Sequence, residues 1–146
     1  MSALSRRIAS RLRRYIANRR KIKRATARLS FTVAISDPRI SPNGSRRVPS
    51  LDGHTLDVSP GGMGLVVPAI RIGEHYLTGE DRRLHVKLEL PGGPVEMYVA
   101  PVRYEELEEQ EEKGFVIGAR IIEMSQEDRA HFEEYVRKVV RKEPVV

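Results

Sequence analysis

The chain has 146 residues and 40% hydrophobic content, enough for one domain with a modest core plus an appendage. It contains no cysteine, which excludes disulfides and thiolate metal sites and fits a reducing, cytoplasmic setting. The net charge of +6 is uneven: residues 1–28 hold eleven Arg or Lys and no acid, and the rest holds 15 basic and 20 acidic residues, a net of −5. A basic segment of this density meets anions: a nucleotide, acidic lipid headgroups, nucleic acid or an acidic protein face.

Residues 3–18 predict a basic amphipathic helix, because Leu4, Ile8, Leu12, Tyr15 and Ile16 share one face with arginines between them. The segment lacks the continuous apolar stretch of a secretory signal, and no run in the chain approaches the roughly 18 residues of a membrane span. Residues 1–18 therefore form an arm and residues 19–146 the domain. Asn18 to Arg28 joins the two and carries Arg20-x-x-x-Arg24. Leu29 to Ile35 alternates as a first strand, and Asp37 to Ser50 is a loop rich in Pro, Ser, Gly and Asn. His54–Asp57 and Met63–Val67 are strands around a Ser59–Gly62 turn. Ile70 to Arg82 reads as an irregular connection. Leu84–Leu90 alternates cleanly, Pro91–Pro94 turns, and Val95–Tyr104 follows with a bend at Pro101. Glu105 to Lys113 is an acidic loop and Phe115–Glu123 the last strand. Ser125 and Asp128 resemble a capping box, and the helix after them aligns Phe132, Val136, Val139 and Val140. Short, evenly spaced strands with Gly and Pro turns predict a mainly β fold: a small six-stranded antiparallel barrel with a C-terminal helix, preceded by the basic helical arm.

Two segments carry the chemistry. Arg19, Arg20 and Arg24 offer planar forks that bind phosphate bidentately and stack on aromatic rings. Asp57-Val58-Ser59-Pro60-Gly61-Gly62 offers an acceptor, a donor and a glycine at Gly62 that permits close approach. The turn is expected at the surface, with Asp57 and Ser59 held toward a ligand. Such a clamp suits a small, anionic, aromatic molecule: a nucleotide. It is no phosphate loop, since neither G-K-[ST] nor a helix follows the glycines.

These segments resemble the signature of PilZ domains, bacterial receptors for cyclic di-GMP. Arg24 to Val33 is similar to the family's passage from its second arginine into the first strand, and Leu56 to Leu65 to its second motif. Gly118 to Asp128 is similar to its closing strand and helix start, so the resemblance spans roughly residues 19–142. The step of 33 residues from Arg24 to Asp57 exceeds the family's, and the loop from Ser36 to Ser50 accounts for the excess. The resemblance implies cyclic di-GMP as ligand, no cofactor, and contacts from Arg19, Arg20, Arg24, Asp57, Ser59 and Gly62. It also implies a relay to a protein partner or second copy through the N-terminal helix, for which a membrane surface is a further candidate.

The rival is a small barrel that binds nucleic acid, favoured by the arm's charge but opposed by a net acidic barrel and 5% aromatic content. A PilZ-like adaptor without ligand is the other alternative. The four histidines, His54, His75, His85 and His131, are scattered and form no metal-ligand pattern. Ser59 lacks a base partner and an elbow motif, so the chain does not read as an enzyme.

Overall fold

A computed structural model describes residues 25–37, 49–108 and 113–142. The arm with its expected helix, the R-x-x-x-R segment with Arg19, Arg20 and Arg24, and residues 38–48 lie outside the described residues. In chain order the elements are β1 (Ala25–Thr26), β2 (Ser30–Ile35), β3 (Leu51–Ser59), β4 (Gly62–Val67), β5 (Arg71–Ile72), β6 (His75–Tyr76), β7 (Leu84–Leu90), β8 (Gly93–Glu108), β9 (Lys113–Met124) and helix α1 (Gln126–Lys142).

Six strands pair in the order β3-β2-β7-β8-β9-β4, and β4 returns to pair with β3, which closes an antiparallel barrel. Closure gives each of these six strands a neighbour on both sides. The strand β7 explains how sequence dictates the wall: Leu84, Val86, Leu88 and Leu90 are buried, while His85, Lys87 and Glu89 alternate outward. Each such burial stabilises by about 1.5–3 kcal/mol. Val33, Val58, Met63, Leu65, Met97, Val99 and Ile117 complete the interior from the other walls.

At Pro101, where a bend is expected, the ladder is irregular. Register shifts fall between Tyr98 and Val99 and between Pro101 and Arg103, where the missing proline N–H cannot serve the ladder. Three expectations differ from the structure. β3 begins at Leu51, because Leu51 to His54 pair with β2. Residues 70–82 contain a small hairpin in which Ile72 pairs with His75 across Gly73 at φ +61°, secured by the buried Leu77, whose N–H donates to the Ile70 carbonyl at 2.8 Å. The ladder of β8 and β9 runs out to Glu108 opposite Lys113, so the acidic stretch is partly strand. Its glutamates do not forbid this, since cross-strand pairing sets the ladder there: Leu107 is registered with Gly114 and Glu106 with Phe115.

Helix α1 starts as its sequence indicates: the Asp128 N–H donates to Ser125 Oγ at 3.1 Å. The Asp128 carboxylate does not return to Ser125. Its Oδ2 accepts from the Glu96 N–H at 3.1 Å and ties the helix start to β8. Phe132 and Val136 are buried among the barrel's interior residues, and Val139 and Val140 pack beside them. The helix touches β1 and β8, and His131 lies against Gly92 in the β7–β8 turn. It therefore covers the end of the barrel at which β3 finishes and β4 begins.

Candidate functional site

That end carries the Asp57–Gly62 hairpin. Ser59 pairs with Gly62 across a turn of Pro60 and Gly61, and Ser59 Oγ donates to the Gly62 carbonyl at 3.1 Å. The ladder slips by one residue between Thr55 and Asp57: Thr55 pairs with Leu65, but Asp57 pairs with Gly64. Asp57 Oδ1 accepts the Gly64 N–H at 2.7 Å at this irregularity. A carboxylate is apt here, because a charged acceptor makes a stronger bond than a neutral one.

The expected surface position is corrected for the side chains. Asp57 is 1% and Ser59 0% exposed, and only Pro60 and Gly61 of the turn face outward. The reason is packing: β1 and the residues after it lie beside this stretch of β3. Gly62 also has a structural duty. A Cβ there would sit 2.2 Å from the Ala119 carbonyl oxygen, so the close approach it permits is to β9 of its own barrel.

How the chain enters the barrel decides what can reach this hairpin. Ala25 is registered with Val58 and Thr26 with Asp57. Thr55 fixes that entry. Its Oγ1 donates to the Ala27 carbonyl at 2.6 Å and accepts the Leu29 N–H at 2.9 Å, and its own N–H donates to the Leu29 carbonyl at 2.8 Å. Ala27 adds a bond from its N–H to the Leu56 carbonyl at 3.2 Å. Thr55 was not foreseen as a site residue, since a threonine in a strand is an ordinary β-former and nothing in its spacing marks it as a staple.

Electrostatics near the hairpin come from His54, one residue before Thr55. Burial, and then the charge of Arg28, push the His54 imidazole below its ordinary value. His85 lies 3.2 Å from Glu96 and stacks obliquely on Tyr98, with ring centroids 5.2 Å apart. Among the described residues no group of three or more His, Asp or Glu side chains is arranged to hold a metal ion. No helix among them is long and apolar enough to cross a membrane.

Comparison with known proteins agrees with this architecture. The family model described as PilZ domain matches residues 18–138. No curated protein matches the sequence. Among solved structures, the PilZ domain with cyclic di-GMP of YcgR from Escherichia coli superposes with a TM-score of 0.58 at 15% identity, covering 82% of this chain and 89% of that one. The inhibitor of motility MotI/DgrA of Bacillus subtilis gives a TM-score of 0.55 at 15% identity, over 82% of this chain and 50% of that one. The Borreliella burgdorferi PlzA protein in complex with cyclic di-GMP gives 0.50 at 12% identity, over 98% of this chain and 60% of that one. The structural likenesses carry the fold, and the match of the family model across most of the sequence carries the kinship: the chain belongs to the PilZ domain family.

Proposed function

We propose that this chain is a non-catalytic receptor for cyclic di-GMP, acting in the bacterial cytoplasm. The R-x-x-x-R segment and the Asp57–Gly62 hairpin form the two halves of its site. One observation supports this above the others. Ala25 is registered with Val58 and Thr26 with Asp57, so the described chain, which begins at the residue after Arg24, enters the barrel beside the hairpin. In this reading Arg20 and Arg24, with Arg19 beside them, close over the two phosphates. Asp57 and Ser59 shape the hairpin in the resting chain and take a guanine edge when ligand repositions the arm. Gly62 keeps the hairpin against β9. The relay runs through residues 3–18 to a protein partner or a second copy.

Titration calorimetry of the full chain with cyclic di-GMP, against linear and cyclic mononucleotides, tests the reading. Micromolar or tighter binding of the cyclic dinucleotide is expected. A charge-assisted hydrogen bond contributes about 1.5–3 kcal/mol, so Arg20→Ala and Arg24→Ala should each weaken binding roughly tenfold to hundredfold. Arg6→Ala, outside the motif, should do little. Absence of heat with folded protein would reject the receptor. Small, equal losses at all three positions would mean diffuse attraction without a clamp. The nucleic-acid alternative is separated by salt: a polyanion complex weakens steeply as counterions are added, whereas a two-phosphate ligand held also by stacking weakens much less.

A further inference from the structure

Arg120 lies outside both motifs but shares the hairpin's face of the barrel. Ser59 is registered with Gly62, Gly62 with Arg120, and Arg120 with Ala100. Beside this row runs a second, in which Asp57, Gly64, Gly118 and Arg103 are registered in turn. Val58, Met63, Leu65, Ile117 and Ala119 belong to the core, and side chains alternate along a strand, so both rows face away from it. At strand spacings of about 4.8 Å, Arg120 lies roughly 10 Å from Ser59 along its row. Across that gap Gly62, Gly64 and Gly118 raise no side chain, which leaves a strip of bare backbone on which a flat ring can lie. The strip is buried in the resting chain and Arg120 stands exposed at its margin, so use of the strip shares the repositioning step of the proposed function.

The charges around Arg120 decide what it can bind. Arg82 is 4.0 Å from Asp37, and Arg83 is paired with Glu123. Arg103 already has a partner and is assigned no part. Glu80 and Asp81 line the same groove as Arg120 but form no ion pair with it. Two carboxylates nearby offset the attraction of a single arginine for a distant phosphate. A contact that depends on the planar fork does not suffer in the same way. A guanine held by Asp57 must offer it the N1–H and N2–H donors, because a carboxylate only accepts. The edge bearing O6 and N7 then turns away from the hairpin, across the glycines. It presents two adjacent acceptors, which an arginine fork matches bidentately.

We infer that Arg120 determines the choice of base at this site, gripping O6 and N7 of the guanine whose donor edge Asp57 and Ser59 hold. This role presupposes the receptor proposed above and adds the means by which it selects guanine.

Titration calorimetry of the full chain and of Arg120→Ala is the test, with cyclic di-GMP and with its 7-deazaguanine analogue, in which C–H replaces N7. The wild type should bind the analogue roughly tenfold more weakly than cyclic di-GMP, the loss of one hydrogen bond from a charged donor. Arg120→Ala should bind cyclic di-GMP roughly tenfold to hundredfold more weakly than the wild type. It should also lose most of the distinction between the two ligands. Arg120→Lys keeps the charge without the fork and should lose that distinction as well. Both variants should melt with the wild type, since Arg120 is exposed and has no ion pair among the described residues. An Arg120→Ala chain that still favours cyclic di-GMP by the wild-type factor overturns the assignment, whether or not both affinities fall, because Arg120 then touches phosphate or nothing. A wild type that binds both ligands equally overturns the grip on N7 and leaves the receptor standing. A wild type that binds neither overturns the receptor itself.

Discussion

Asp57 shows how one buried side chain can hold a hairpin at a slip in its ladder. Its Oδ1 takes the Gly64 N–H where the ladder slips, in a position with 1% exposure. Asp57→Ala strands that buried donor and should destabilise the domain by about 1–3 kcal/mol. Asp57→Asn keeps an acceptor and should recover most of the loss. Thermal unfolding of the two variants decides it: if Asp57→Ala melts with the wild type, the Gly64 bond contributes nothing. His54 gives a second expectation. Its folded-state value is lowered, first by burial and then by Arg28, so the unfolded chain binds more protons near pH 6. The resulting stability is complete above about pH 6.5 and is lost as the pH falls below it toward the lowered value. Melting from pH 7.5 to 5.5 should therefore show a decline that is shallower in His54→Gln; equal slopes would remove His54 as its source. At this scale the sequence displayed residue types but hid their surroundings. Asp57, Ser59 and Gly62 were recognisable as a turn with polar groups. Their burial was not, because it depends on β1 lying alongside and on Ala119 standing behind Gly62, and both come from distant parts of the chain.

Among the elements, β1 is two residues long, and no propensity would nominate Ala25–Thr26 as a strand. Its place is imposed by Thr55, whose hydroxyl bonds to both Ala27 and Leu29. Thr55→Val preserves shape and strand preference while deleting both bonds, leaving the buried Ala27 carbonyl and Leu29 N–H to seek other partners. A loss of about 1–3 kcal/mol is expected, concentrated in the first segment. Amide exchange at residues 25–29 should accelerate more than exchange in β7. Uniform acceleration across the barrel would mean that Thr55 supports the fold generally and does not staple the entry. Longer elements were readable because their patterns are local. β7 alternates in both sequence and burial, and α1 announces itself through Ser125 and the spacing of Phe132 and Val136. The ends of β3, β8 and β9 were not, since cross-strand partners set them and a partner's position is absent from a one-dimensional pattern.

For the molecule as a whole, three parts of the chain meet at the barrel end that carries the hairpin. The chain enters there through β1, the Asp57–Gly62 turn closes there, and α1 packs there against β1 and β8. A ligand seated at this junction would act on the segment to which residues 1–17 are attached, and ordering that segment costs conformational entropy that binding must offset. Two consequences separate receptor from relay. Deleting residues 1–17 removes the segment in which a helix is expected but retains Arg19, Arg20, Arg24 and the barrel, so under the proposed function cyclic di-GMP should still bind within a few-fold of the full chain. In the full chain, amide exchange across residues 1–28 should change when cyclic di-GMP is added, and the change should extend beyond the arginines into residues 3–16. Protection confined to residues 18–28, with residues 1–17 exchanging alike in both states, would leave the arm a passive basic tail. The nucleotide site would survive that result, and the relay through the arm would not.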